Sequence, residues 1–296
     1  MHFTQSSSDP ARLRATVCRA HAQYLKTGGI PLQKDGITWK VSTTSHLEST
    51  AQEVLQAALE IDNHPATWLK RSAINLVSAT NLGNRTLVFK RYDMLGRRQQ
   101  LHYRFRASRA RRAWAAALTM RDFAISTPEP FALIEGFRGS RPIQSFYVHD
   151  FLKEAVTARQ WIKPHLHRAT PEVREQVRHE LREMLLNLYR HGMYHGDTKT
   201  GNLLVTDTDD PERRTWSWID LECVQVAVQP TRRRVMRNLV QLNGSVGSKI
   251  EEADRLAFLK DLSEDFPWMT GARVADTIRK RTMKRLRREL SKECGH

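Results

Sequence analysis

The sequence predicts an α+β fold in two lobes: a small, strand-rich N-terminal lobe with one main helix, and a larger, mainly helical C-terminal lobe. Three observations predict it. The chain has 296 residues, roughly twice the ~150 typical of one domain. Between Trp68 and His149, extended runs surround a single long helical pattern. After Asp150 the apolar spacing becomes helical, with Val173, Val177, Leu181, Leu185 and Leu188 three or four residues apart. The lobes therefore divide near 149 to 153: residues 1–67 read as an N-terminal extension, 68–149 as the small lobe and 150–296 as the large lobe with a basic C-terminal helix. A hydrophobic fraction of 40% is enough to pack such cores, which excludes extensive disorder.

Ala11 to Lys26 reads as a short basic helix ending at Gly28-Gly29, Gly36 to Val41 as a strand, and Leu47 to Ile61 as an amphipathic helix. Ala73 to Ala79 and Arg85 to Tyr92 flank Asn81-Leu82-Gly83-Asn84, a hairpin signal. A helix follows from Ser108, its cap, to Asp122, and Thr127-Pro128-Glu129-Pro130 marks its end. Phe131 to Glu135 and Ile143 to His149 are strand-like, and Pro171 to His191 is a long helix.

Lys and Arg number 48 against 32 Asp and Glu, a net charge of +16, which calls for anionic partners or surroundings. Most of the excess lies in two tracts. Arg97 to Arg112 holds seven arginines and no acid, and Ala272 to Lys292 holds nine bases and two acids. Each reads either as a solvated helix face or as an anion-binding surface. No nucleic-acid-binding module accompanies them, so nucleic acid is not the expected partner. Cys18, Cys223 and Cys294 suit neither a disulfide framework nor a zinc cluster and imply a reducing compartment. The first residues lack a basic segment followed by an apolar one, and the longest apolar helical run, Ala113 to Met120, is far short of the ~20 residues that span a bilayer. A cytoplasmic protein is expected.

The chemistry is concentrated in Tyr194-His195-Gly196-Asp197-Thr198-Lys199-Thr200-Gly201-Asn202, which follows the long helix and precedes the apolar strand Leu203-Leu204-Val205. A second strand, Trp216-Ser217-Trp218-Ile219, returns after a turn at Asp207 to Pro211 and delivers Asp220 eighteen residues past Asn202. The order His-x-Asp-x-Lys-x-x-Asn, hairpin, Asp matches the catalytic loop and metal-binding aspartate of protein-kinase-like enzymes. Phosphoryl transfer needs a carboxylate to orient the attacking hydroxyl, assigned to Asp197, and hard oxygen ligands for Mg2+, assigned to Asn202 and Asp220. Lys199 is placed to offset charge on the transferred group, and His195 to orient the loop.

Upstream, Thr86 to Tyr92 reads as a strand with Val88, Lys90 and Tyr92 on one face. Lys90, 107 residues before Asp197, stands where this architecture keeps its ATP-phosphate lysine. Two departures stand out. No Gly-x-Gly-x-x-Gly precedes Lys90, so a phosphate-covering loop would use Lys70-Arg71-Ser72-Ala73 or a neighbouring turn. No glutamate lies between Lys90 and Pro128 to pair with the lysine, so Glu48 or Glu53 is the expected substitute, or else the enzyme is weak.

These residues resemble the bacterial lipopolysaccharide kinase family, which includes Kdo kinases and heptose kinases of the core oligosaccharide. The resemblance spans about residues 68 to 262. Beyond the catalytic loop it rests on Val88 to Tyr92, Ser108-Arg109-Ala110-Arg111-Arg112-Ala113-Trp114, Thr127 to Pro130 with Leu133-Ile134-Glu135, Ile219 to Glu222, Arg237 to Asn243, and Asp254-Arg255-Leu256. It implies a two-lobed protein-kinase-like fold with ATP between the lobes. It also implies a hinge from Val148 through His149 and Asp150 to Phe151 whose backbone meets adenine. The acceptor would be a sugar hydroxyl of the lipopolysaccharide inner core, Kdo or heptose. The basic tracts would then face a phosphorylated glycan or the anionic cytoplasmic face of the inner membrane. Competing expectations are another small-molecule or protein kinase of the same superfold, and a catalytically silent pseudokinase acting as a binding protein.

Overall fold

The computed structural model describes all residues except 1–28, 46, 64–67, 72–74, 95, 167–168, 207–212, 247–249, 271 and 294–296. The basic helix expected at 11–26, Ser72 and Ala73 of the expected phosphate loop, and the 207–211 turn lie outside the described residues. The described chain forms two compact units. One runs to Lys153 and includes Asp220–Val224; the other comprises Glu154–Ile219 and the chain from Gln225.

The first unit contains β1 (Ile30–Lys34), β2 (Ile37–Thr43), α1 (Glu48–Glu60), β3 (Trp68–Arg71), β4 (Asn75–Leu82), β5 (Arg85–Asp93), α2 (Arg97–Phe105), α3 (Arg109–Asp122), β6 (Pro130–Arg138) and β7 (Arg141–Asp150). Its strands make one antiparallel sheet in the order β1-β2-β6-β7-β5-β4-β3. The hairpin at Asn81 to Asn84, the α1 and α3 helices and the β6 and β7 strands occur where the sequence puts them. β1 was not foreseen, because Pro31 interrupts its pattern; as an edge strand it tolerates the missing donor.

Strand alternation gives the sheet two different faces. On one, Trp39, Val41, Leu87, Phe89, Ile134, Phe146 and Val148 pack with Ala51, Val54, Leu55 and Ala58 of α1. Gly136 permits this packing, since a Cβ there would meet the Trp39 ring at 2.6 Å. The opposite face carries Val88, Lys90, Tyr92, Glu135 and Tyr147, and α3 lies against β5, β6 and β7. The first turn of α3 fixes it there. Ser108 Oγ accepts the Arg111 N–H at 3.0 Å, as expected of a cap, and donates to Glu135 Oε1 at 2.6 Å. Arg111 Nε reaches the same carboxylate at 3.2 Å. The helix ends at Phe123, whose N–H closes onto Thr119 and Met120, several residues before Pro128. α2 lies in the first basic tract, where a solvated helix face was one of the two readings; its apolar stripe amounts to little more than Leu101 and Phe105, which are 59% and 79% exposed.

The second unit holds β8 (Val156–Thr157), α4 (Ala158–Leu166), α5 (Pro171–Arg190), β9 (Tyr194–His195), β10 (Leu203–Thr206), β11 (Thr215–Trp218), α6 (Arg232–Val246), α7 (Glu252–Ser263) and α8 (Ala272–Glu293). β10 pairs antiparallel with β11 and β8. Arg174, Arg178 and Arg182 follow one another at four-residue spacing, which aligns them on one face of α5. There they meet Asp254 at 3.0 and 3.3 Å and Asp265 at 2.6 Å, docking α7. Among the described residues, no helix is long and apolar enough to cross a membrane.

Candidate active site

The loop after α5 is held by side chains that lock its backbone. His195 is fully buried; its Nδ1 accepts the Asp197 N–H at 3.2 Å and its Nε2 donates to the Ile219 carbonyl at 3.0 Å. This pairing makes His195 a neutral orienting group that ties the loop to the end of β11 and stacks on Trp218. Asn202 Nδ2 donates to the Asp197 carbonyl at 2.8 Å and to Asp197 Oδ2 at 3.0 Å. Lys199 Nζ lies 3.1 Å from Asp197 Oδ1. Asp197, Lys199 and Asn202 are thus gathered at one point, and the Asn202 backbone carbonyl accepts the Ile219 N–H at 3.0 Å.

α6 supplies the support that the sequence reading missed. Asn238 donates to the His195 carbonyl at 2.8 Å and accepts from the Tyr189 hydroxyl at 2.8 Å. Gln241 donates to the Gly196 carbonyl at 2.9 Å and accepts the Thr198 N–H at 3.0 Å, and Ser245 Oγ accepts the Thr200 N–H at 3.0 Å. Asn238 and Gln241 are buried among Val235, Leu239 and Leu242. Polar residues at positions i, i+3 and i+7 of an otherwise apolar helix face were the available signal.

In the sheet unit, Lys90 is 7% exposed and its Nζ lies over the Tyr92 ring, 5.4 Å from the centroid. It bonds Asp220 Oδ1 at 2.5 Å and Glu222 Oε2 at 2.9 Å. Burial pulls the ammonium toward its neutral form, but the Glu222 and Asp220 carboxylates outweigh it and raise its pKa. The same burial and the same two carboxylates hold the Tyr92 phenol well above its usual range. The expected substitutes Glu48 and Glu53 are corrected here. Both are exposed on α1, which packs on the other face of the sheet. Asp220 adopts a left-handed conformation, φ 61° and ψ 46°, uncommon for a residue with a Cβ.

Around the expected hinge, His149 stands opposite Val88 in the β5–β7 ladder. Burial lowers its pKa to about 4, and the Lys90 charge adds to the effect. The Asp150 carboxylate grips Arg85 at 2.6 to 3.1 Å, and the N–H groups of Asp150 and Phe151 donate to Glu129 and Thr86. These two backbone donors are engaged within the sheet unit.

The lipopolysaccharide kinase (Kdo/WaaP) family model matches residues 71–261, well over half of the chain. The chain belongs to this family. It is a kinase and a transferase of lipopolysaccharide biosynthesis, as that membership entails. Among solved structures, it is similar to WaaP in complex with acyl carrier protein, at 19% identity and a TM-score of 0.54, over 73% of this chain and 88% of that one. That likeness bears out the kinase-like fold, a β-rich N-terminal part followed by a helical C-terminal part. No curated protein matches the chain.

Proposed function

We propose that the chain transfers the γ-phosphoryl group of ATP, with Mg2+, to a sugar hydroxyl of the lipopolysaccharide inner core, on Kdo or heptose. The observation that carries this reading is the Asp197, Lys199 and Asn202 cluster, with Asp220 following Ile219 directly. Asp197, fixed by Asn202 and the His195-ordered backbone, accepts the proton of the attacking hydroxyl. Lys199 offsets charge on the moving phosphoryl group, and Lys90 binds the ATP phosphates.

The residues present suit Mg2+: Asn202 uses its amide N–H on Asp197, leaving a carbonyl oxygen, and Asp220 adds a carboxylate. Two hard oxygens plus phosphates and water are the usual complement. Bound there, Mg2+ would neutralise phosphate charge. His149, Asp150 and Phe151 border the adenine in this reading, through groups other than the engaged Asp150 and Phe151 N–H donors.

The decisive experiment is mass spectrometry of lipopolysaccharide from cells lacking the gene, complemented with wild type or with Asp197→Ala. One phosphate should be lost and then restored by wild type alone; an unchanged glycan mass in the deletion would refute the assignment.

The acceptor's membrane anchorage argues for peripheral work at the cytoplasmic face of the inner membrane. α2 supports it, presenting Leu101 and Phe105 to solvent beside the exposed Arg98 and Arg106, the composition of an interfacial helix. Binding to anionic liposomes should weaken as salt rises, and salt-independent binding would exclude it.

Acyl carrier protein is a further candidate partner. The helical unit contains an apolar cavity of about 100 Å3, lined by Ile162, Leu166, Val177, Leu239, Leu242 and Phe258, fit for an aliphatic chain. Calorimetry with acylated and unacylated carrier should give binding only to the acylated form.

A further inference from the structure

We propose that Glu222 is the positioning residue for Lys90, taking the part that a helix carboxylate plays in other kinases. The inference rests on the active-site reading above and names a residue that this reading does not use.

α3 packs over the Lys90 face, yet the only acid within it is Asp122, in its last, exposed turn. The other buried carboxylate on that face, Glu135, is committed to Ser108 and Arg111. Glu222 fills the gap from a different element. It sits in the 3-10 turn Leu221–Cys223, immediately after Asp220, with its side chain only 14% exposed and Oε2 2.9 Å from Lys90 Nζ. α3 still reaches the site, but with the opposite chemistry: Arg112 Nε donates to the Glu222 backbone carbonyl at 3.1 Å. The helix therefore holds the turn, and the turn holds the lysine.

Lys90 touches two carboxylates of unequal openness. The Asp220 side chain is 35% exposed and Glu222 14%. The more open carboxylate is the one suited to exchange a lysine for a cation. The enclosed one stays with Lys90, keeping the ammonium extended over Tyr92 so that it meets phosphate without reorganising.

The test is a double-mutant cycle read by calorimetry with ATP and with adenosine, and by steady-state kinetics. Glu222→Gln should weaken ATP binding by about ten- to a hundredfold, the range for a charge-assisted hydrogen bond, and leave adenosine binding unchanged. Glu222→Asp should recover part of the loss, and Glu222→Gln should cost nothing more in a Lys90→Met background. If Glu222→Gln does not fold, Glu222→Asp, which keeps the charge but shortens its reach, carries the same cycle. Full ATP affinity in the variant, equal loss for adenosine, or additivity with Lys90→Met would overturn the role of Glu222 alone. If Lys90→Met itself leaves ATP binding untouched, the active-site reading falls and this inference with it.

Discussion

The catalytic loop and the Lys90 site are held by opposite means. The backbone of the loop that carries Asp197 is fixed by neutral partners: the His195 ring and the amides of Asn202, Asn238 and Gln241 reach backbone groups at 2.8 to 3.2 Å. Lys90 is fixed by charge, between Asp220 and Glu222. Neutral hydrogen bonds to the backbone set a geometry that an arriving phosphate barely perturbs, whereas ion pairs can be exchanged when new charges enter. One region serves as a template, and the other adapts.

This contrast breaks most sharply at Asp197. Asp197→Ala should lower kcat by about a thousandfold, within the range for loss of a general base, while ATP affinity and the melting temperature stay close to wild type. An unchanged kcat would remove the template from the chemistry. Next in size is Gln241→Ala, which strands the Thr198 N–H and the Gly196 carbonyl. A loop displaced by about 1 Å should cost roughly a hundredfold in kcat, with about 1–3 kcal/mol of stability lost in denaturant unfolding. A loss of stability with full kcat would show that the amides hold the fold but not the geometry.

Gly136→Ala sharpens the comparison by touching neither region. The added methyl meets Trp39 inside the sheet's α1-facing core, so stability should fall by about 1–3 kcal/mol, with activity per folded molecule retained. The smallest effect is the response of one ring's titration to a neighbouring charge. His149 faces Lys90, Asp150, Asp220 and Tyr147, and its pKa of about 4 lies below the unfolded value of ~6.5. As pH falls, the unfolded chain takes up the proton first. Stability from this group is therefore complete above about pH 6.5 and declines toward pH 4. NMR titration should find the ring neutral at pH 5, and Lys90→Met should raise its pKa; no rise would mean that the lysine charge does not reach it.

What the sequence revealed was local, and what it hid was distant. His195 to Asn202, the Ser108 cap and the hairpin before Lys90 each act within a few residues, so spacing exposed them. The partner of Lys90 lies 132 residues away along the chain, on a turn in which only the aspartate was given a chemical role. Glu48 and Glu53 were plausible in one dimension and fail in three, because α1 covers the Phe89 face and Lys90 points to the other. Asn238, Gln241 and Ser245 were visible as a polar line on α6, but their purpose depends on the loop that folds against it.

Asp220 bears on how such a chain could change over generations. Its backbone conformation is one that glycine takes freely and that a side chain enters at a cost of about 1 kcal/mol. Lineages propagated for heat resistance alone gain nothing from Asp220→Gly by itself, because it strips the buried Lys90 of one of its two carboxylates; relieving the strain becomes favourable only once Lys90 has also been replaced, whereas lineages that must also phosphorylate should keep the aspartate. The identity of this one residue would then record whether the lineage still uses its chemistry.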